Sequence, residues 1–355
     1  MIEERIARLR RFLREHQADG VIIMQPENLR YFSAFTGGEG ALVVSLDGAV
    51  LWTDSRYTEQ AALQSGAWYD VKNHGGRLAQ SIGQSVEDLG IQTAVYEMNF
   101  LTHSLYEAVS SCSACCFQGE ELTGLRAVKE PYELTATRKA SDIADRAFAD
   151  LLPYIRPGVT EKKLAARLES NMLLAGSEEK SFTTIVASGK RSAMPHGTAS
   201  VKTVQDGDFV TFDFGAVWGG YHSDMTRTVV VGKATEEQKN FYNMILEGQK
   251  LGIQTVKAGA SCCEVDFVVR NYFSERYVSQ YFTHALGHGT GLEIHEQPVL
   301  SPRATGTLQE NMIVTVEPGL YIEGVFGVRI EDSVAVTAQG CEILTKTPKE
   351  LMELA

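Results

Sequence analysis

The sequence predicts an α/β (α+β) protein built as two domains. Its 355 residues exceed the roughly 100–200 that one hydrophobic core usually serves. Helix-period and strand-period segments alternate through about the first 120 residues, as in a domain with helices packed on a mostly parallel sheet. Beyond about residue 175 the chain turns strand-rich, with glycine-centred hairpins and two further helices among the strands.

The elements follow in order. Ile2, Ile6, Leu9 and Leu13 share one helical face, with Gly20 as the stop. The run of Arg5, Arg8, Arg10, Arg11 and Arg14 is interleaved with Glu3, Glu4 and Glu15, the pattern of a solvated helix face. Residues 21–24 read as a buried strand, and 41–46 and 49–53 as a hairpin turned at Asp47-Gly48. Helices near 57–64, 78–89 and 100–111 then alternate with strands at 71–73, 93–97 and 114–118. The character changes around 124–131, which divides the chain into domains at 1–125 and 126–355. Pro131 opens a helix running to about 155, and Thr160 caps a second reaching about 175. Further helices are expected near 235–257 and 261–276.

Composition excludes several function classes. With 44% hydrophobic and 22% charged residues the chain has the makeup of a globular enzyme, not of a disordered or fibrous protein. Thirty-three basic against 45 acidic residues give a net charge of −12, which repels phosphate backbones and argues against a nucleic-acid partner. No apolar run approaches the roughly 20 residues that span a bilayer, so no membrane partner is expected. The first 20 residues lack the apolar stretch of a secretory leader, so a cytoplasmic location is expected. Six cysteines, two adjacent pairs among them, suit reduced thiols better than a disulfide framework. Cys112 and Cys115 form a lone C-x-x-C that no second pair completes, and they read as structural.

Chemistry concentrates later. Five of the eight histidines fall between 196 and 295, together with acidic residues inside apolar strands. Asp213 and Asp224 are symmetric about the junction of Trp218 and Gly219, so a regular hairpin turned there sets the two carboxylates directly across from each other. Glu317 and Glu331 are likewise symmetric about Gly324, and Arg329 shares the strand face of Glu331 while Asp332 points away. Opposed carboxylates in an apolar hairpin repel and are costly to desolvate, so something positive must sit between them. Between the hairpins, His284, His288 and His295 lie among Gly287, Gly289 and Gly291. Four carboxylates with an imidazole suit divalent ions such as Mn²⁺, Co²⁺ or Zn²⁺, and bridging carboxylates suit a dinuclear site. His16, His74 and His103 have no such context and read as surface residues.

The stretches MPHG (194–197), DFGAVWGGYHSDMTRT (213–228), HALGHGTGLEIHE (284–296), EPGLYI (317–322) and GVRIED (327–332) resemble, in order and spacing, the Xaa-Pro peptidases (prolidase and aminopeptidase P) of the creatinase/methionine aminopeptidase superfamily. WTDSRY (52–57) resembles a segment of the creatinase-type N-terminal domain. The resemblance implies a creatinase-like α/β domain over 1–125, followed over 126–355 by a pita-bread metallopeptidase domain. Carried over by position, Asp213, Asp224, His288, Glu317 and Glu331 would ligate two divalent metal ions per subunit, Mn²⁺ or Co²⁺ first and Zn²⁺ as the alternative. Glu317 would double as general base, His196 and His295 would act on the substrate during catalysis, and His284, Tyr321 and Arg329 would shape the proline-side pocket. The implied partner is a proline-containing di- or oligopeptide, and the implied assembly a homodimer. The intact ligand set argues against a metal-free creatine hydrolase, and the arginine of GVRIED against a methionine aminopeptidase. The short N-terminal domain favours an Xaa-Pro dipeptidase. An Xaa-Pro aminopeptidase acting on longer peptides is the alternative, and a non-catalytic pita-bread binding protein the remote one.

Overall fold

The computed structural model describes residues 1–354. The chain forms two compact units, Met1–Arg126 and a second beginning at Ala127. Among the described residues no helix is long and apolar enough to cross a membrane.

In the first unit, α1 (Ile2–Glu15) buries the stripe Ile2, Ile6, Leu9 and Leu13. Six strands follow: β1 (Gly20–Ile23), β2 (Gly40–Ser45), β3 (Ala49–Thr53), β4 (Asp70–Asn73), β5 (Thr93–Glu97) and β6 (Cys116–Glu120). They form one sheet in the order β4-β3-β2-β1-β5-β6. The β1–β2 and β2–β3 pairs are antiparallel, and β1–β5, β3–β4 and β5–β6 are parallel, so the sheet is mixed. The crossovers carry α3 (Thr58–Ser65), α4 (Leu78–Asp88) and α5 (His103–Ser110).

Two expectations need correction here, and one helix was not anticipated. Gly20 does not stop α1. The left-handed residue after the helix is Gln17 (φ 55°), and Gly20 opens β1, where a Cβ would press on the Ile91 side chain. The arginine face is not simply solvated, because Arg5 is buried, donates to the Tyr31 carbonyl and stacks 4.0 Å over the Tyr31 ring. A helix that periodicity does not announce, α2 (Pro26–Ser33), follows β1. The backbone N–H groups of Met24 and Gln25 at its start donate to the Glu97 carboxylate at 2.7 Å each, and burial pushes the Glu97 pKa up.

The second unit is built on two hairpins, each backed by a pair of helices. The first sheet has the order β19-β11-β8-β7, from β7 (Ile185–Ser188), β8 (Phe209–Phe214), β11 (Met225–Val231) and β19 (Glu353–Leu354), with β9 (Val217–Trp218) and β10 (Tyr221–His222) at the hairpin tip. Helices α6 (Pro131–Leu151) and α7 (Glu161–Leu174) cover it, Phe148, Leu164 and Leu168 sharing a core with Phe212, Phe214 and Val229. Pro131 stands in the first turn of α6 and Thr160 caps α7, as the sequence indicates. Glu130 and Glu133 form a capping box, and Thr160 accepts from the Lys163 amide. The second sheet has the order β13-β12-β14-β17-β18, from β12 (Gly287–Gly289), β13 (Glu296–Leu300), β14 (Ile313–Val316), β17 (Asp332–Val336) and β18 (Cys341–Ile343), and β15 (Gly319–Ile322) with β16 (Phe326–Arg329) extends its hairpin. Helices α8 (Glu236–Thr255) and α9 (Cys262–Ser274) supply Tyr242, Ile245, Val265 and Phe273 to a core shared with Val314, Val316 and Val334.

Hairpin register positions the acidic residues. In the second hairpin Val316 pairs with Asp332 and Gly319 with Arg329, so Glu317 and Glu331 lie in register between the two ladders, as their symmetry about Gly324 predicts. The first hairpin differs from expectation. Asp213 pairs with Thr226 and Val217 with His222, because the turn is Gly219-Gly220 and not Trp218-Gly219. Both glycines have positive φ (60° and 77°), which the two-residue type I′ turn demands and Trp218 would resist. Asp224 therefore falls opposite Gly215, and the two aspartates share a face diagonally. Gly215 has no alternative, since a Cβ there would come within 1.8 Å of the Ser223 carbonyl oxygen.

The two hairpins are tied side by side. The Glu331 amide donates to the Thr226 carbonyl, and the Ser333 hydroxyl to the Asp224 carbonyl. Behind this seam lies a buried polar layer. Arg227 donates to Asp332 Oδ1 at 2.8 Å and to the carbonyls of Thr347 and Glu331. Asp332 also accepts from Gln249 and Lys349. Burial alone would raise the Asp332 pKa, but Arg227 and Lys349 outweigh it and hold the carboxyl below its ordinary value. A carboxyl depressed in the folded state contributes stability that is complete above its unfolded pKa near ~3.9 and is lost as pH falls through the lower folded value. Asp332→Asn should therefore destabilise the unit by about 3–5 kcal/mol at pH 7, since it strands a buried guanidinium. In urea unfolding, the gap between this variant and the native protein should close below about pH 3.9.

Candidate active site

The seam between the hairpins floors a cavity of about 480 Å³. Asp213, Asp224, His288, Glu317 and Glu331 line it together with His196, His284, His295 and Arg329. Tyr321 is not a lining residue and reaches the site through its hydroxyl. The structure thus brings together all ten residues that the sequence nominates. Asp224 and Glu331 are buried at the floor, whereas His196 and His295 stand exposed at the rim.

The floor is rich in acceptors. His288 Nδ1 lies 3.0 Å from the Gly289 carbonyl oxygen, an atom that only accepts, so Nδ1 carries the proton and Nε2 the lone pair. Nε2 faces Glu317 Oε1 at 3.4 Å and Asp224 Oδ2 at 3.5 Å. Burial lowers the His288 pKa to about 4, so the ring is neutral at pH 7. Asp213 Oδ1, Asp224 Oδ1 and Glu331 Oε1 are buried with no hydrogen-bond partner. Ligand atoms of Asp224, His288 and Glu331 all lie within 4.8 Å of one another. Burial pushes Glu317 up to about 8, and it raises Asp224 and Glu331 well above the ordinary carboxylate range, with the neighbouring carboxylates adding to the shift in each case. Lone pairs aimed at lone pairs, with orphaned buried oxygens beside them, fit a site for divalent cations.

Arg329 answers part of that charge. Its side chain is 4% exposed. Nη2 donates to Asp213 Oδ2 at 2.5 Å, Nη1 to the Tyr321 hydroxyl at 2.7 Å and the Pro195 carbonyl at 3.1 Å, and Nε to Thr226 Oγ1 at 3.0 Å. Tyr321 in turn donates to His284 Nε2 at 3.0 Å, while His284 Nδ1 donates to the Ala285 carbonyl. Both His284 nitrogens are committed, and burial lowers its pKa to about 4, so it acts on the cavity as a fixed neutral wall. The His295 ring stands 4.4 Å from that of His288, and partial desolvation on that side lowers its pKa.

Sequence reasoning passes over two threonines. Thr226 donates to Glu331 Oε2 at 2.6 Å, and Thr315 accepts from the His288 amide and donates to Glu317 Oε1. Each lies two residues from an acidic residue that stands just beyond its strand, Asp224 before β11 and Glu317 after β14, so continued alternation places it on the same face. The apolar wall of Phe182, Ile185, Ile294 and Val299 gives no comparable signal.

Residues 135–338 match the model of metallopeptidase family M24, and residues 5–128 match the creatinase/prolidase N-terminal domain. The chain is 38% identical to the Xaa-Pro dipeptidase of Pyrococcus furiosus over 355 residues, covering 99% of this chain and 100% of that protein. The solved Xaa-Pro dipeptidase from Bacillus anthracis is 43% identical, with a TM-score of 0.97 and 100% of both chains covered. The X-Pro aminopeptidase from Thermotoga maritima is 39% identical, with a TM-score of 0.90 over 98% of this chain and 99% of that one. By sequence and architecture alike, the chain belongs to metallopeptidase family M24, with a creatinase/prolidase-type N-terminal domain ahead of a pita-bread peptidase domain.

Proposed function

We propose that this metallopeptidase is an Xaa-Pro dipeptidase, hydrolysing the bond between an N-terminal residue and a following proline. The observation that carries the reading is the floor of buried, partnerless carboxylate oxygens facing the His288 lone pair, with the Arg329 guanidinium beside them. Two divalent cations held by Asp213, Asp224, His288, Glu317 and Glu331 would supply Lewis-acid polarisation of the scissile carbonyl and a water acidic enough to attack near neutral pH. Manganese or cobalt suits this oxygen-rich set, with zinc the alternative.

The chain's own residues supply the rest. Glu317 accepts a proton at its carboxylate and returns it to the departing proline nitrogen. His196 and His295, at the rim, hydrogen-bond the substrate and the charge that develops on its carbonyl oxygen. His284, Tyr321 and Arg329 form the linked wall against which proline packs. A bond to proline needs such a site because its nitrogen carries no N–H for an ordinary peptidase to read.

Residues 1–125 act as the creatinase-like domain and 126–355 as the catalytic one, in a homodimer of cytoplasmic location. Similarity to relatives named Xaa-Pro dipeptidase supports a dipeptide substrate. Similarity to an X-Pro aminopeptidase gives a second reading, a site open to longer chains. Hydrolysis of Xaa-Pro measured against Xaa-Pro-Yaa separates them, and a preference for the longer peptide would overturn the dipeptidase assignment.

Chelation should abolish activity, Mn²⁺ or Co²⁺ should restore it, and the melting temperature should fall by several degrees because the cations bind only the folded state. Full turnover in metal-stripped protein would remove the basis of the reading. Asp224→Asn should lose bound metal, whereas His295→Ala should keep it and lose about 10²–10³ in kcat. Metal analysis and kinetics on the two variants decide between ligand and substrate-binding roles. Arg329→Lys should lower kcat/KM on Xaa-Pro about ten- to hundredfold with metal retained, because a point charge cannot span Asp213, Tyr321, Pro195 and Thr226 as a planar fork does. Near-normal kcat/KM would reduce Arg329 to a counter-charge.

A further inference from the structure

One fully buried carboxylate of this unit lies outside the acidic floor and has no part in the chemistry above. Glu161 is the first residue of α7, and none of its surface is exposed. Oε1 accepts from the amide and the hydroxyl of Ser188, both at 2.8 Å. Oε2 accepts from the amide of Ser200 at 2.9 Å, its hydroxyl at 2.6 Å, and Arg191 Nη1 at 3.3 Å. Ser188 ends β7, and the stretch from Ser188 to Ser200 carries three cavity-lining residues, Pro195, His196 and Thr198. One carboxylate therefore grips both ends of the loop, each oxygen serving one end.

The grip is reinforced on both sides. The Glu161 and Lys162 amides, among those that a helix N-terminus leaves without helical partners, donate to the carbonyls of Lys202 and Ser200. Arg191 Nη2 reaches across the loop to the Thr198 carbonyl at 2.7 Å. The far side of the loop meets the second hairpin, where the Gly327 amide donates to Ser192 Oγ and Arg329 donates to the Pro195 carbonyl.

We infer that Glu161 is a positioning residue, which fixes the loop so that His196 and the Pro195 carbonyl are presented to the cavity. Only a carboxylate suits the task, because all five groups facing it are donors. Glutamine would turn an NH₂ toward two donors at one end of the loop and release that end. The catalytic part of this inference rests on the proposed peptidase reading, whereas the clamp itself does not.

The test uses Glu161→Gln in the full chain, with Ser200→Ala as a milder variant should the first fold poorly. Amide hydrogen exchange over residues 189–199 reads the clamp without substrate, and it should accelerate in either variant while exchange in β8 and β11 stays slow. Kinetics on an Xaa-Pro dipeptide read the consequence. Glu161→Gln should lose about tenfold or more in kcat/KM with bound metal retained, since small misplacement of a binding group is costly. In a His196→Ala background the same change should cost little more, because both act through one group. Unchanged loop exchange overturns the clamp. An equal loss from Glu161→Gln with and without His196 overturns the positioning role. A native protein inactive on every Xaa-Pro peptide overturns the peptidase reading and leaves the exchange result to judge the clamp.

Discussion

Like charges buried together set the terms for everything around the cavity. Asp213, Asp224, Glu317 and Glu331 meet where solvent cannot screen them, and burial with mutual repulsion pushes Asp224 and Glu331 toward their protonated forms. Among the described lining residues Arg329 is the only permanent cation, and one positive charge cannot hold all four carboxylates ionised. Three of these carboxylates also keep an oxygen with no hydrogen-bond partner. A structure that left the cluster so would be strained by several kcal/mol. Divalent cations, as the proposed function places them, would remove both difficulties at once, neutralising the charge and satisfying the orphaned lone pairs. The energetic problem and the catalytic capacity of a metallopeptidase of family M24 are the same feature.

Holding such a cluster requires a stiff frame, and strand alternation supplies it economically. Successive residues point to opposite faces, so one strand serves chemistry on one side and architecture on the other. Glu331 faces the cavity while Asp332 anchors Arg227, Gln249, Thr345 and Lys349 behind it. Thr226 donates to Glu331, and Arg227, one residue on, binds the Glu331 carbonyl from the other face. The acidic strand is thus gripped through its side chain and its backbone together. Arg329 closes the arrangement by joining the first hairpin, through Asp213 and Thr226, to its own.

Much of this is legible without coordinates because it depends on local symmetry. Glu317 and Glu331 sit equidistant from a turn glycine, and that arithmetic alone gives their register. The same arithmetic sets Asp213 directly across from Asp224, a register two residues from the one found, because it centres the hairpin between Trp218 and Gly219 although Gly219-Gly220 is the positive-φ turn. The adjacent glycines themselves specify the right register. Other features were out of reach in principle. Helix α2 begins at a carboxylate more than 70 residues downstream in Glu97, and the Ser188–Ser200 loop is fastened by a glutamate that precedes both of its ends by 27 and 39 residues. Periodicity sees neighbours three, four or two positions away, and contacts that close across a fold leave no such trace.

The division between floor and rim carries one further consequence. Asp213 and His288 lie on paired strands, and Asp224, Glu317 and Glu331 each stand one residue from the end of one, so the ladders hold the floor closely. The two rim histidines are exposed and stand outside regular strands, where backbone order is weakest. Each is compensated by a fully buried carboxylate close by. His196 lies in the loop that Glu161 grips, and His295 immediately precedes Glu296, whose Oε2 pairs with Lys129 Nζ at 2.8 Å and whose Oε1 takes the Glu293 amide. Both side chains of the Lys129–Glu296 pair are almost wholly withdrawn from solvent. Breaking a pair buried so deeply costs far more than breaking one at the surface, so the loop carrying His295 is held by an interaction that water cannot weaken. The two histidines that the proposed function sets against an incoming peptide are therefore left open to solvent, while the contacts that hold their loops are placed where solvent has no access.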